Sequence, residues 1–410
     1  MIVRSAITCD TCGRLHVVRI GMGQETHQSH RFACRGCGEE IGIGLEVDYV
    51  NIAHRTVIES NCSFAEEKPG ADIVNLDASF VIPADQQGQD FAFPRLQQMQ
   101  SMLEKAESDG VKFSSIHVDD PKILQRPFRR PDYSQEWSEL RRAWTLHRRD
   151  QKSLSRGIVR KASQNLYAGD PLSGLPDWIW RFCLHLTARN FHPRLHALMK
   201  KLDAIFESPN FPELIEYYRR NMVPQRGRRY IAIMTEYFRA YSEYAQVQFM
   251  LSGGVRPAAD EHVSSTNFEI TKMFYGNAFE VLADNMDLIA ILNNVNQGRR
   301  YDTFVQLTLS DYYRIDKSGR ANCFSGDAEF SQISAEFDNQ VRNASHHGGM
   351  EFDQITQMIS YRSGKGGTGP EMNMTYTEYL VRCVEIFMQI ICIFQIELLI
   401  TNNRKIEPPL

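Results

Sequence analysis

The chain has 410 residues, more than a single hydrophobic core usually serves, so its length predicts two or three domains. With 42% hydrophobic and 23% charged residues, the composition is that of an ordinary soluble globular protein. The net charge of −4 excludes a global basic field, so any contact with RNA or DNA must come from a local patch.

The cysteines indicate a reduced compartment. There are nine of them, an odd number, and four form two close pairs near the N-terminus. Such a pattern is typical of an intracellular protein with a metal site rather than of a disulfide framework. Residues 1–30 contain no long apolar run and no small-residue cleavage site, so no signal peptide is expected and we predict a cytoplasmic protein.

Residues 1–60 predict a zinc ribbon. Short β-type runs alternate with glycine-rich turns, and two turns have the form Cys-x-x-Cys-Gly. Four thiolates on two such turns complete the tetrahedron that structural zinc prefers, and the predicted ligands are Cys9, Cys12, Cys34 and Cys37. With all four ligands from protein, this zinc would have no open position for catalysis.

Other interpretations of this segment stay open. Two redox-active Cys-x-x-Cys motifs are the competing one, although such motifs normally begin a helix. His16, His27 and His30 lie between the pairs and are expected in exposed loops, with replacement of one cysteine ligand as the alternative. The ribbon could bind nucleic acid, bind protein, or only stabilise a small β domain.

Residues 61–125 predict a β-rich and linking region that ends in a helix starting at Pro94, and residues 126–260 predict a helical middle region. From residue 134 onward the apolar spacing is helical, over 134–150, 153–167, 177–190, 194–207, 211–221, 228–251, 267–296, 302–314, 328–347 and 375–400. Basic clusters at 155–161, 219–220 and 226–229 are each more typical of a solvated helix face than of an RNA track.

Residues 261–410 predict a C-terminal helical domain. The overall class is therefore mainly α, with a small N-terminal β zinc-ribbon region. The segment from Tyr379 to Ile400 is apolar enough to suggest a membrane span. Polar residues recur through it, which favours a core helix, and no membrane partner is expected.

The most informative motif is the helix end Arg342-Asn343-Ala344-Ser345-His346-His347, followed by two glycines. A histidine near neutral pKa can transfer protons, and an arginine can hold phosphate oxygens, so this set suits phosphodiester cleavage without a catalytic metal. The structural alternative is a capped helix end in which Arg342 pairs with Asp338 and both histidines are exposed.

Arg342, Asn343 and His347 resemble the signature of HEPN domains, which is arginine, a polar residue, three variable residues and histidine. The surroundings, roughly residues 262–402, also resemble that family: a long helix precedes the motif, a β-prone excursion follows, and a long apolar helix closes the region. The resemblance implies a helical bundle that dimerises so that two motifs face one cleft.

The resemblance also implies a function. Many HEPN proteins are metal-independent ribonucleases of toxin–antitoxin, abortive-infection and antiviral defence systems. It would make Arg342 the phosphate-holding residue, His347 the proton-transfer residue and Asn343 the residue that orients them, with His346 a second choice. Expected partners are an RNA substrate, a second copy of the chain and an antitoxin or defence-system protein. The alternative is a non-catalytic zinc-ribbon and HEPN adaptor that binds nucleic acid or a partner protein.

A glycine-rich segment, residues 364–369, suggests a phosphate-binding loop. It lacks the full Gly-x-x-x-x-Gly-Lys-Ser/Thr order, and Pro370 prevents a helix from starting directly after it. We therefore expect a hairpin tip next to the cleft.

Overall fold

The computed structural model describes residues 1–23, 25–90, 92–108, 132–187, 191–346 and 349–410, with the backbone alone at residues 106 and 365. The predicted boundary between residues 125 and 126 lies outside the described residues, as does His347. Helices hold 53% of the described residues and strands 18%.

The N-terminal part is built from seven strands. They are β1 (Ile2–Cys9), β2 (Leu15–Gly21), β3 (His27–Ala33), β4 (Glu40–Asp48), β5 (Ala53–Ser60), β6 (Cys62–Phe64) and β7 (Asp72–Asp77). One sheet has the order β6-β1-β2-β7, in which β7 runs parallel to β2, and a second antiparallel sheet has the order β3-β4-β5. Alternate side chains of both sheets share one hydrophobic cluster, which includes Ile7, Val18, Phe32, Ile43 and Leu76.

The predicted class, mainly α with a small N-terminal β zinc-ribbon region, is wrong, because the N-terminal strands form a sizeable sheet region and the fold is α+β. The strands continue past residue 60: Ile7 pairs with Phe64, and His16 pairs with Asp72. These pairings join residues more than fifty positions apart, which local sequence patterns do not reveal.

The helical part starts with α1 (Pro94–Ser108), as predicted from the proline in its first turn. The following helices are α2 (Tyr133–Arg148), α3 (Lys152–Leu166), α4 (Leu175–Leu186), α5 (His192–Phe206), α6 (Phe211–Tyr217), α7 (Val223–Arg239), α8 (Tyr241–Ser252), α9 (Phe268–Thr271), α10 (Phe274–Asn296), α11 (Leu309–Arg314), α12 (Asn339–His346) and α13 (Tyr376–Arg404). Two short strands, β8 (Ile82–Pro83) and β9 (Glu261–His262), pair between the sheets and the helices.

Helix α13 forms the centre of the core. It is long and apolar enough to cross a membrane by composition, but 89% of its most apolar stretch is buried within the protein. It packs against α10, whose residues are also buried around most of its circumference. The interpretation of this segment as a core helix is therefore confirmed.

A buried ion cluster joins α7, α10 and α13. Arg226, 1% exposed, donates to Glu397 (Nη1–Oε1, 2.6 Å) and to Asp287. Tyr218 and Tyr230 donate their hydroxyls to the same Glu397 carboxylate. One cation therefore faces two carboxylates, and burial raises the pKa of Glu397.

The C-terminal part contains a further antiparallel sheet, in the order β10 (Met350–Asp353), β11 (Met358–Arg362) and β12 (Glu371–Thr375).

The prediction of a single helix over residues 328–347 is wrong. A 3-10 turn at Phe330–Ser334 ends first, and α12 then begins anew because the Asp338 carboxylate accepts from the backbone N–H of Gln340 (2.8 Å).

Candidate functional site

The four predicted metal ligands converge. The Sγ atoms of Cys9, Cys12, Cys34 and Cys37 all lie within 4.8 Å of one another, at the ends of β1 and β3 and in the turns that follow. Cys9 and Cys37 are 3.8 Å apart, and Cys12 and Cys34 are 3.6 Å apart. Four sulfur atoms that close together can bind a metal ion.

The two turns are built alike. In each, the glycine that follows the second cysteine donates its N–H to the carbonyl of the first cysteine, from Gly13 to Cys9 (2.8 Å) and from Gly38 to Cys34 (2.9 Å). Both glycines have left-handed φ angles, +72° and +80°, which side chains with a Cβ rarely adopt. This is the physical reason for the glycine in the Cys-x-x-Cys-Gly pattern.

The thiol of Cys9 is more acidic than an ordinary cysteine, whereas burial raises the pKa of the neighbouring Cys34 thiol. Burial alone would raise the pKa of Cys9, but hydrogen bonds from the backbone N–H groups of Cys12 and Thr11 and from the Cys34 and Cys37 thiols outweigh it, so the pKa is lowered to about 7. A thiolate is the form that binds metals.

The expectation that the three histidines near this site are exposed is wrong for two of them. His16 is fully buried and connects the turns, because Nε2 accepts from the N–H of Arg35 (3.2 Å) and Nδ1 lies 3.1 Å from the carbonyl of Arg14. His30 is also buried, which lowers its pKa to about 4. Neither belongs to the cluster of possible ligands among the described residues.

Arg342, the predicted phosphate-holding residue, lies on α12 and faces α10. Its Nε donates to Glu280 Oε1 (2.8 Å), and Nη2 donates to the same oxygen. The third nitrogen, Nη1, donates to Asn343 Oδ1 (2.8 Å). The guanidinium is thus fixed on two sides, while 28% of the side chain remains exposed. Arg342 pairs with Glu280 and not with Asp338, the partner that the capped-helix alternative predicted.

Glu280 belongs to a wider charged row on α10. Its second oxygen accepts from Lys317 Nζ (2.7 Å), which also contacts Asp284 (2.9 Å) one turn along α10. Asp284 pairs in addition with Arg320 (2.9 Å). Burial alone raises the pKa of Glu280, but hydrogen bonds from Lys317 and Arg342 outweigh it, so the pKa is lowered and the carboxylate stays charged.

Other residues of the motif contact Arg342 or α10. Asn343 accepts from Arg342 through Oδ1, and Ser345 is buried against α10, where its hydroxyl accepts from the N–H of Gly276 (3.3 Å). The His346 ring packs on the same glycine, since a Cβ at residue 276 would lie 1.9 Å from His346 Cδ2. His347 lies outside the described residues. His346 is therefore packed against α10, whereas the capped-helix alternative expected it to be exposed.

A second charged group holds the start of α12 and was not found from the sequence. Asp338 pairs with Arg382 of α13 (3.0 Å), and its N–H donates to the hydroxyl of Tyr275 (2.9 Å). Tyr275 in turn donates to Glu336 (2.5 Å). Burial raises the pKa of Glu336 to about 7, and the Tyr275 hydrogen bond and Arg382 offset only part of that effect.

The glycine-rich segment forms the turn between β11 and β12. Gly364, Gly366 and Gly367 all have left-handed φ angles, and the N–H of Gly364 donates to the Gln340 side chain on α12 (2.6 Å). A hairpin tip therefore lies against the helix that carries Arg342, in agreement with the predicted hairpin.

Comparisons of the chain with protein-family models, with curated proteins and with solved structures give no match.

Proposed function

We propose that the protein is a metal-independent RNA endonuclease of the HEPN type. The observation that carries the proposal is the guanidinium of Arg342 on α12, held by Glu280 and Asn343 and still 28% exposed. An oriented, partly exposed arginine can bind the non-bridging oxygens of a phosphodiester and stabilise the charge that develops there. The residue that follows this helix in the sequence, His347, would supply proton transfer.

The proposed reaction is an intramolecular transesterification. A base removes the proton of the ribose 2′-hydroxyl, and the 2′-oxygen forms a bond to phosphorus while the bond to the 5′-oxygen breaks. An acid donates a proton to that leaving oxygen, so the products are a 2′,3′-cyclic phosphate and a free 5′-hydroxyl. One histidine cannot act as the base and as the acid at the same time, which favours a site that two copies of the chain complete. Each copy would then contribute one Arg342 and one His347.

The metal at the four cysteines is proposed to be structural zinc. Four thiolates at the zinc–sulfur distance of about 2.3 Å stand about 3.8 Å apart in a tetrahedron. The pairs at 3.6 and 3.8 Å are already close to that spacing. Zinc bound by four protein ligands would tie β1 to β3 and would leave the cleavage chemistry to the motif on α12.

The biological setting follows only from the resemblance to HEPN proteins. We propose an intracellular toxin or antiviral effector, which would need an antitoxin or a defence-system partner to restrain it. In that setting the N-terminal sheets would recognise a trigger, a partner or the RNA.

One observation favours the alternative, a non-catalytic adaptor. The ion pair between Arg342 and Glu280 already neutralises the arginine, so a phosphate has to compete with a carboxylate. A scaffold that only dimerises and binds a partner would tolerate this arrangement without cost.

Incubation of the purified protein with RNA, followed by analysis of the product ends, separates the two. The nuclease predicts fragments ending in 2′,3′-cyclic phosphate in the absence of added divalent ions. The adaptor predicts intact RNA together with a concentration-dependent dimer.

A further inference from the structure

A dense basic surface covers α2 and α3, far along the chain from the HEPN-like motif. Between residues 141 and 161 there are eight Lys or Arg residues and a single acid, Asp150, although the whole chain is net negative. All eight cations are exposed: Arg141, Arg142, Arg148, Arg149, Lys152, Arg156, Arg160 and Lys161. Such a local excess is the electrostatic footprint of a polyanion-binding surface.

Most of these eight cations form no ion pair within the described residues. Among the described residues, the one ion pair that involves them is between Lys152 and Asp150, at 3.7 Å, and Asp150 is 89% exposed. Elsewhere on the surface, arginines are mostly paired: Arg219 and Arg220, for example, both contact Glu216. Positive charge on α2 and α3 is therefore available to a ligand, because little of it is neutralised within the described chain.

The surface is concave. A groove of about 600 Å³ runs between α3 and the segment 172–176 that starts α4, and Lys152, Arg156 and Arg160 line it. Ser155, 2% exposed, lies on its wall. The acids on the neighbouring α4 side, Asp170 and Asp177, are both bound by Arg181 and do not neutralise the groove.

The helices that form the groove are firmly attached to the core. On α2, Trp144 is fully buried and stacks on Phe394 of α13, with ring centroids 5.6 Å apart. On the α4 side, the indole of Trp178 donates to the buried Glu136 of α2 (2.9 Å). The basic residues are consequently presented on a rigid support, which lowers the entropy lost when they bind.

We propose that the groove and the basic faces of α2 and α3 bind the phosphodiester backbone of single-stranded RNA, apart from the motif on α12. Exposed cations along a groove can follow a single chain of phosphates, whereas a flat bilayer surface cannot enter the groove. Tyr167, the residue that follows α3, is stacked on His185 and is not offered to a base, so binding is not expected to depend on sequence. Naming the ligand as RNA rests on the proposed nuclease function.

The test is the affinity of a fluorescein-labelled single-stranded oligoribonucleotide, measured by anisotropy across a salt series. The Arg342→Ala protein is used so that the probe survives. In that background, Arg156→Ala with Arg160→Ala should weaken binding about tenfold and reduce the slope of log affinity against log salt by about 1.4, the share of two phosphate contacts. The matched control, Arg219→Ala with Arg220→Ala, removes the same charge from another exposed site and should change neither quantity.

Equal loss in both pairs, or no loss in the groove pair, overturns the proposal. So does binding of phosphatidylserine vesicles, and not of RNA, through Arg156 and Arg160. The result is independent of cleavage. RNA bound through the groove by a protein that never cuts it supports the groove and refutes the nuclease. Cleavage with unchanged KM in the groove variant supports the nuclease and refutes the groove.

Discussion

Arg342 and Glu280 are joined by two hydrogen bonds to a single carboxylate oxygen, with Nε 2.8 Å from Oε1, so that α10 fixes the orientation of the arginine on α12. In a nuclease, this contact positions the guanidinium before RNA arrives. In an adaptor, it only ties two helices together. Breaking this contact is therefore expected to have different consequences in a nuclease and in an adaptor.

Glu280→Ala is expected to reduce RNA cleavage by between about 10- and 100-fold, mainly in kcat, because a misplaced arginine stabilises the transition state poorly. The measurement is single-turnover cleavage. Asp284→Ala is the matched control: it removes a neighbouring carboxylate that also binds Lys317 but does not contact Arg342. Equal or faster cleavage by Glu280→Ala would show that Glu280 competes with the phosphate instead of orienting the arginine.

Cys37→Ser is expected to lower the zinc content from about one ion per chain to near zero, since a structural site needs four ligands. The N-terminal sheets should then unfold at lower temperature, because zinc binding contributes directly to the folding free energy. Cys62→Ser is the control, as Cys62 is buried nearby but is not one of the four clustered cysteines. Metal analysis that finds zinc retained in Cys37→Ser refutes the site.

Glu336→Gln is expected to flatten part of the pH dependence of stability. The pKa of Glu336 is raised from its ordinary 4.5 to about 7, so in that window the folded state holds a proton that the unfolded state has lost. Its contribution to the free energy of unfolding is therefore full below pH 4.5 and is lost as the pH rises through 7, by at most about 3 kcal/mol. Denaturant unfolding at several pH values measures it.

The readout is the difference between the two proteins, because other buried carboxyls, such as Asp77 with a pKa of about 6, titrate in both. The Gln variant should lose less stability than the wild type between pH 5 and 7. Parallel curves for the two proteins would mean that Glu336 is already ionised in the folded state at pH 5.

Arg226→Ala is expected to destabilise the helical core by about 3 to 5 kcal/mol, since it leaves Glu397 and Asp287 buried without their counter-charge. Arg228→Ala, at an exposed position two residues away, should change the free energy of unfolding by less than about 0.5 kcal/mol. Denaturant midpoints compare them. A small effect at both positions would contradict the buried cluster.

Local patterns predicted the local features. The two Cys-x-x-Cys-Gly turns were readable because ligands and glycine lie within five residues, and helices such as α1 and α13 were readable from apolar periodicity and a proline start. Pairings at a distance were not readable: β7 joins β2 across more than fifty residues, and nothing near Arg342 in the sequence points to Glu280, 62 positions earlier. The break before α12 depends on a side-chain cap by Asp338, which periodicity cannot detect.

We propose that Arg342 and His347 cleave RNA without a catalytic metal. The most direct measurement is RNA cleavage in EDTA, with zinc content monitored, by the wild type, Arg342→Ala and His347→Ala. The controls are Arg314→Ala and His196→Ala, at exposed positions outside the motif. We predict that the wild type and both controls cut RNA to 2′,3′-cyclic phosphate ends while both motif variants lose at least about 100-fold in rate. Cleavage that survives both motif substitutions, or a wild type that leaves RNA intact, would contradict the claim.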